Sequence, residues 1–186
     1  SRSNGALAAV VREAVAETGL PQGSVELLDG ADHAELTELA TALGMAGRKA
    51  AAVEAFADAL SHSRGAQHAR VLVRRCGVLA WFGEMEDASR DGRRAAEILR
   101  RAGDREWEAH ARHNAALALM HLGRFAEAER EFVRAQRLEE SSGESYGATV
   151  TLHSRGDCAL RQGDLPRALR LLYQARDRYR DLGVVP

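Results

Sequence analysis

Four stretches decide how this chain folds: LGMAGRKAAAVEAFADAL (43–60), WFGEMEDASRDGRRAAEIL (81–99), LGRFAEAEREFVRAQRL (122–138) and RQGDLPRALRLLYQARDRY (161–179). Aligned on Gly47, Gly83, Gly123 and Gly163, they repeat at intervals of 36, 40 and 40 residues. Five residues after each glycine stands an alanine, at Ala52, Ala88, Ala128 and Ala168, and seven later another, at Ala59, Ala95, Ala135 and Ala175. Phe56 and Phe132 lie between them at helical spacing. Three positions kept in phase four times mark an internal repeat.

Before each glycine runs a segment of helical periodicity, over 34–46, 66–82, 107–122 and 146–162. After it comes an arginine- and glutamate-rich segment with an apolar stripe at i, i+4 and i+7. The unit is therefore a helix hairpin, and Ala40, Cys76, Ala116 and Gly156 supply the small residue where its helices cross. Gly92 replaces the phenylalanine in the second unit, and Arg75 and Arg155 take the place of Leu39, which predicts looser packing there. The polar, glycine-bearing strings HSRGAQ, RAGDRE and ESSGES read as turns between hairpins.

This set of a small residue, a turn glycine, alanine, a large apolar residue and alanine resembles the tetratricopeptide repeat over residues 34–182. The resemblance implies an all-α superhelix of about four hairpins, over 34–62, 66–102, 105–140 and 145–182, followed by a tail at 183–186. It also implies a non-catalytic module that binds a protein or peptide on a concave face, with no cofactor. Such arrays often sit in larger bacterial regulators or scaffolds, and a chain opening at Ser1 is read as one excised from a longer protein.

Composition agrees with a helical fold. Alanine occurs 35 times in 186 residues, proline three times, and aromatic residues make up 5%. The net charge of -1 excludes a strongly basic nucleic-acid binder. No apolar run approaches the ~18 residues of a membrane span and no signal peptide opens the chain, so a cytoplasmic location is expected. Cys76 and Cys158 have neither disulfide-framework nor metal-knuckle spacing.

The first 42 residues differ, carrying two arginines and seven acids against 24 bases and 20 acids in the rest, or -5 against +4. Residues 6–18 form an amphipathic pattern with Asn4 as N-cap and Gly19 as stop, Pro21 follows, and 24–28 reads as a short strand. Residues 1–33 are thus a helix-strand appendage. The string over 3–39, through Asn4, the GLPxGxV element from Gly19 to Val25, Asp29, Asp32 and Glu38, resembles glutamate-5-semialdehyde dehydrogenase (gamma-glutamyl phosphate reductase). In that family the piece belongs to the cofactor domain, implying the edge of an NADP site and, as the alternative reading, a fragment or fusion of that reductase. Neither cysteine lies in a segment comparable to the family's nucleophilic loop.

Residues 40 apart should sit side by side on the inner wall. The rows are Arg70, His110 and Val150; Val73, His113 and His153; Arg74, Asn114 and Ser154; Gly77, Leu117 and Asp157. Arg70, Arg74, His110, His113, Asn114 and His153, with Asp157 alongside, then form a candidate partner-binding groove, moderately basic and suited to an acidic or carboxylate-bearing peptide. The same side chains also fit a solvated face. Asn114 and Arg74 fit the carboxylate clamp of some tetratricopeptide domains only loosely, and its lysines are missing, since the only lysine is Lys49. His110, His113 and His153 have a spacing that zinc could use, but no acidic or thiol fourth ligand is spaced with them, so packing and hydrogen bonding are expected instead. Cys76 is read as a buried inert thiol, and Trp81 and Trp107 as core residues. No phosphate loop, dinucleotide fingerprint, HExxH or GxSxG occurs, so no catalytic residue is assigned.

Overall fold

The computed structural model describes residues 32–184, all of them helical apart from turns. The expected helix over 6–18, the strand over 24–28 and most of the dehydrogenase-like string lie outside the described residues. Four hairpins follow one another: α1 His33–Met45 with α2 Lys49–His62, α3 Gly65–Trp81 with α4 Met85–Ala102, α5 Arg105–His121 with α6 Phe125–Ser142, and α7 Ser145–Arg161 with α8 Leu165–Asp181.

Local chemistry sets the ends of these helices. Asp32 opens α1 with a capping box: its carboxylate accepts from the Ala34 and Glu35 N–H groups at 2.8 and 3.0 Å, and Glu35 accepts from the Asp32 N–H at 3.0 Å. Asp104, Glu144 and Asp164 cap α5, α7 and α8 through their side chains. Between α3 and α4 the backbone reverses at Gly83, whose φ of 80° suits a residue without Cβ. There the Glu84 N–H closes the turn on the Leu79 carbonyl at 2.9 Å.

All eight repeat alanines are buried, together with Phe56 and Phe132, and so are Ala40, Cys76, Ala116 and Gly156 at the helix crossings. A Cβ at Gly156 would lie 2.7 Å from the Leu172 side chain, which would have to shift to admit it. Successive first helices touch, α1 on α3, α3 on α5 and α5 on α7. They therefore make the inner wall of a tetratricopeptide-like superhelix, with the second helices outside.

The second hairpin is not loosely packed. Gly92 has given up its side chain to let α5 approach: a Cβ would meet the Ala115 Cβ at 2.8 Å and the Ala111 carbonyl oxygen at 3.1 Å. Arg75, in the place of Leu39, forks onto the buried Asp91 at 2.6 and 2.9 Å. Arg155 donates to Glu129 at 3.0 and 2.7 Å and to Gln136 at 2.7 Å, tying α7 to the preceding hairpin. The first pair fixes the two helices of the second hairpin and the second fixes the fourth hairpin on the third, since each charge is tolerated only with its partner in place. Trp81 also departs from expectation. It is 77% exposed, because the last turn of α3 directs its ring into the groove rather than into the core.

Candidate peptide-binding groove

The inner wall opens into a recess of about 550 Å³ where α1, α3 and α5 converge. Its apolar surfaces come from Met45, Val73, Val78, Trp81 and Trp107, and its polar ones from Thr41, Arg74, His110 and Asn114. Gly77 lies in the middle of α3 on this face, and a Cβ there would meet nothing within 4 Å, so its absence widens the recess without serving the core.

Among the expected groove residues, Arg74, His110 and Asn114 line this recess. Arg70 stands beside it, but its guanidinium is committed to Asp104 at 3.1 and 2.6 Å and lies 5.3 Å from the Trp107 ring centre. Arg74 is differently placed. Its guanidinium is 5.8 Å from the same ring and 3.5 Å from Glu38, whose side chain is 70% exposed. An ion pair between two such exposed groups is weak and easily exchanged. His110 sets its ring edge-on to Trp107 with centroids 5.9 Å apart.

The other three candidates sit elsewhere. His113 turns into the wall, where Nδ1 is 2.9 Å from Thr151 Oγ1 and the ring meets Phe132 edge-on at 5.5 Å. Burial first, and the neighbouring His110 second, push its pKa down to about 4, so it is neutral at pH 7. His153 packs edge-on to Tyr179 and stands 3.8 Å from Asp157, and neither residue lines the recess. The acids Glu38 and Asp104 balance much of the arginine charge, so the groove is less basic than the arginines alone suggest.

Sequence reasoning missed Met45 and Trp81 as groove residues. Each stands two positions before a turn glycine, Gly47 and Gly83, and this shared register was the available signal. Burial raises the Cys76 thiol to about 12, leaving it protonated and inert in the hairpin crossing. Among the described residues no group of three or more His, Cys, Asp or Glu side chains is placed to hold a metal ion, and no helix is long and apolar enough to cross a membrane.

The tetratricopeptide repeat family profile matches residues 109–181, which hold most of the third and fourth hairpins. No curated protein matches the sequence. Among solved structures, the nearly identical TPR-like repeats of a protein described as a kinesin light chain from Podosopora anserina superpose with a TM-score of 0.67 at 16% identity, covering 78% of this chain and 74% of that one. BtubC (BKLC) from P. vanneervenii gives a TM-score of 0.52 at 15% identity over 100% of this chain and 92% of its own. At such identities the likeness is one of fold.

Proposed function

We propose that this chain is a non-catalytic interaction module that binds a peptide segment of a protein partner in the groove between α1, α3 and α5. Tetratricopeptide-type folds typically mediate protein–protein interaction, and their inner walls are where extended or helical segments dock. The partner seats an apolar side chain against Met45, Val78, Trp81 and Trp107, and places a neighbouring carboxylate on Arg74 and Asn114. Arg74 can exchange its weak pair with Glu38 for a forked contact, whereas Arg70, held by Asp104, acts by stiffening Trp107. His113 supports the wall from behind.

The observation that carries this reading is the 77% exposure of Trp81 on a concave surface. Covering that ring removes roughly 150 Å² from water, on the order of 4 kcal/mol before ordering costs are subtracted. Selection of displayed random peptides on the 186-residue chain tests it. Enriched peptides should pair an aromatic or aliphatic residue with an adjacent aspartate or glutamate, and should bind the Trp81→Ala variant at least about tenfold more weakly. Peptides that bind Trp81→Ala as well as the parent chain would refute the proposal.

A further inference from the structure

The last hairpin carries an apolar surface that the third hides. Leu160, Leu165 and Leu169 are 49%, 56% and 53% exposed. One repeat earlier the same positions are Met120, Phe125 and Glu129, and there α7 meets them: Met120 and Phe125 pack in one cluster with Cys158, and Glu129 is held by Arg155. A stack of hairpins keeps itself soluble by ending on a polar outer face, so an open apolar one invites association.

The register of the repeat says what fits it. At the joint between the third and fourth hairpins, three positions of α7 meet α6. Thr151 donates to Glu139 at 3.1 Å, Arg155 donates to Glu129 and Gln136, and Cys158 Sγ lies 3.9 Å from the Phe125 carbonyl oxygen. In α1 these three positions are Glu35, Leu39 and Ala42, of which Glu35 and Ala42 are exposed and Leu39 is half-buried. In α8 the facing positions are Tyr179, Leu169 with Arg176, and Leu165.

Both sides of the joint have changed in concert. The ion pair of Arg155 with Glu129 becomes Leu39 against Leu169. Donor and acceptor trade places, since the Tyr179 hydroxyl can donate where Glu139 accepts and Glu35 can accept where Thr151 donates. Ala42 leaves space for Leu165. The wider charge agrees, because α8 holds five arginines and two aspartates while the first 42 residues hold two arginines and seven acids. Two α8 faces set against each other would bring like charges together.

We propose that α1 of a second copy covers the Leu165 and Leu169 surface of α8, so that copies stack head to tail and continue the superhelix across the joint. Such a contact leaves α1 open at one end and α8 open at the other, so assembly runs past the dimer. It uses neither Trp81 nor Arg74 and stands whether or not the groove binds a peptide.

Sedimentation of the full 186-residue chain over a wide concentration range tests it. The average mass should rise with concentration and exceed that of a dimer. Leu169→Arg and Ala42→Arg, both at exposed positions, should each weaken association at least about tenfold by placing an unpaired charge in the joint, with circular dichroism unchanged. An equal mixture of the two variants should form dimers and nothing larger, since it holds one intact α8 face and one intact α1 face. A parent chain that stays monomeric throughout, an Ala42→Arg chain that associates as the parent does, or a mixture that remains monomeric would overturn the proposal.

Discussion

Replacing Gly92 with alanine should destabilise the protein, although the same change in an uncrowded helix interior stabilises it by about 1 kcal/mol. The new Cβ would stand 2.8 Å from the Ala115 Cβ, 3.1 Å from the Ala115 Cα and 3.1 Å from the Ala111 carbonyl oxygen. Ordinary carbon contacts lie at about 3.5–4.0 Å, so α4 and α5 must separate by roughly 1 Å. None of these atoms ends a flexible side chain, so the strain cannot be relieved by a rotamer change. Overpacking of this kind costs about 1–3 kcal/mol, which leaves a net loss of about 1 kcal/mol after the gain in helix propensity. In a chain of this length, that lowers Tm by about 2–4 °C. Phenylalanine, the residue at the equivalent position of the first and third hairpins, should cost far more, since no space exists for it. Thermal and urea unfolding followed by circular dichroism measure both. Ala115→Gly in the Gly92→Ala background should recover part of the loss, with the two changes coupled rather than additive. A Gly92→Ala protein more stable than its parent would refute the close approach of α4 and α5.

Two further outcomes follow from buried polar groups. Arg112 donates to Glu108 at 2.8 Å and to Glu131 at 2.6 Å, with side chains 11%, 8% and 13% exposed, so Arg112→Met should cost about 3 kcal/mol in urea unfolding by stranding the Glu108 carboxylate and leaving Glu131 with Arg134 alone. A loss below about 1 kcal/mol would mean that these carboxylates reach water. His113 titrates near 4 when folded and near 6.5 when unfolded, so between those values the unfolded chain binds more protons. Its contribution, on the order of 3 kcal/mol, is complete above about pH 6.5 and lost as pH falls toward 4. Imidazole NMR should therefore show no titration of His113 between pH 5.5 and 8, and a midpoint inside that range would contradict its burial.

The hairpins were legible because they rest on a constraint repeated four times. A turn needing positive φ and a crossing needing small residues leave Gly83 and its equivalents and the paired alanines in strict phase, and the buried alanines report that geometry. The groove was legible only in part. Row-by-row spacing placed Arg74, His110 and Asn114 together, but Trp81 reads along the chain as one more apolar residue of the α3 stripe. Its exposure depends on which side of α3 the neighbouring hairpins leave open. Arg70 looks like a free cation until the turn at Asp104, 34 residues later, is brought against it. Glu139 lies in the polar run RLEESSGES and reads as solvated, and only the packing of α7 across the end of α6 buries it. In each case the decisive contact is between hairpins, where no local periodicity reports it. Gly92 shows the same limit, because its meaning lies in α5 and not in the repeat it interrupts.

The most direct measurement of partner binding uses the protein's own fluorophores, since Trp81 and Trp107 are its only tryptophans and both line the groove. Acrylamide quenching of tryptophan emission, with and without a saturating peptide from the display selection, reads whether the partner covers them. Strong quenching is expected in the free chain, marked protection and a blue shift on binding, and loss of most of that protection in Trp81→Ala. Saturating peptide that leaves quenching and emission unchanged would place the partner on another face and contradict binding in the groove.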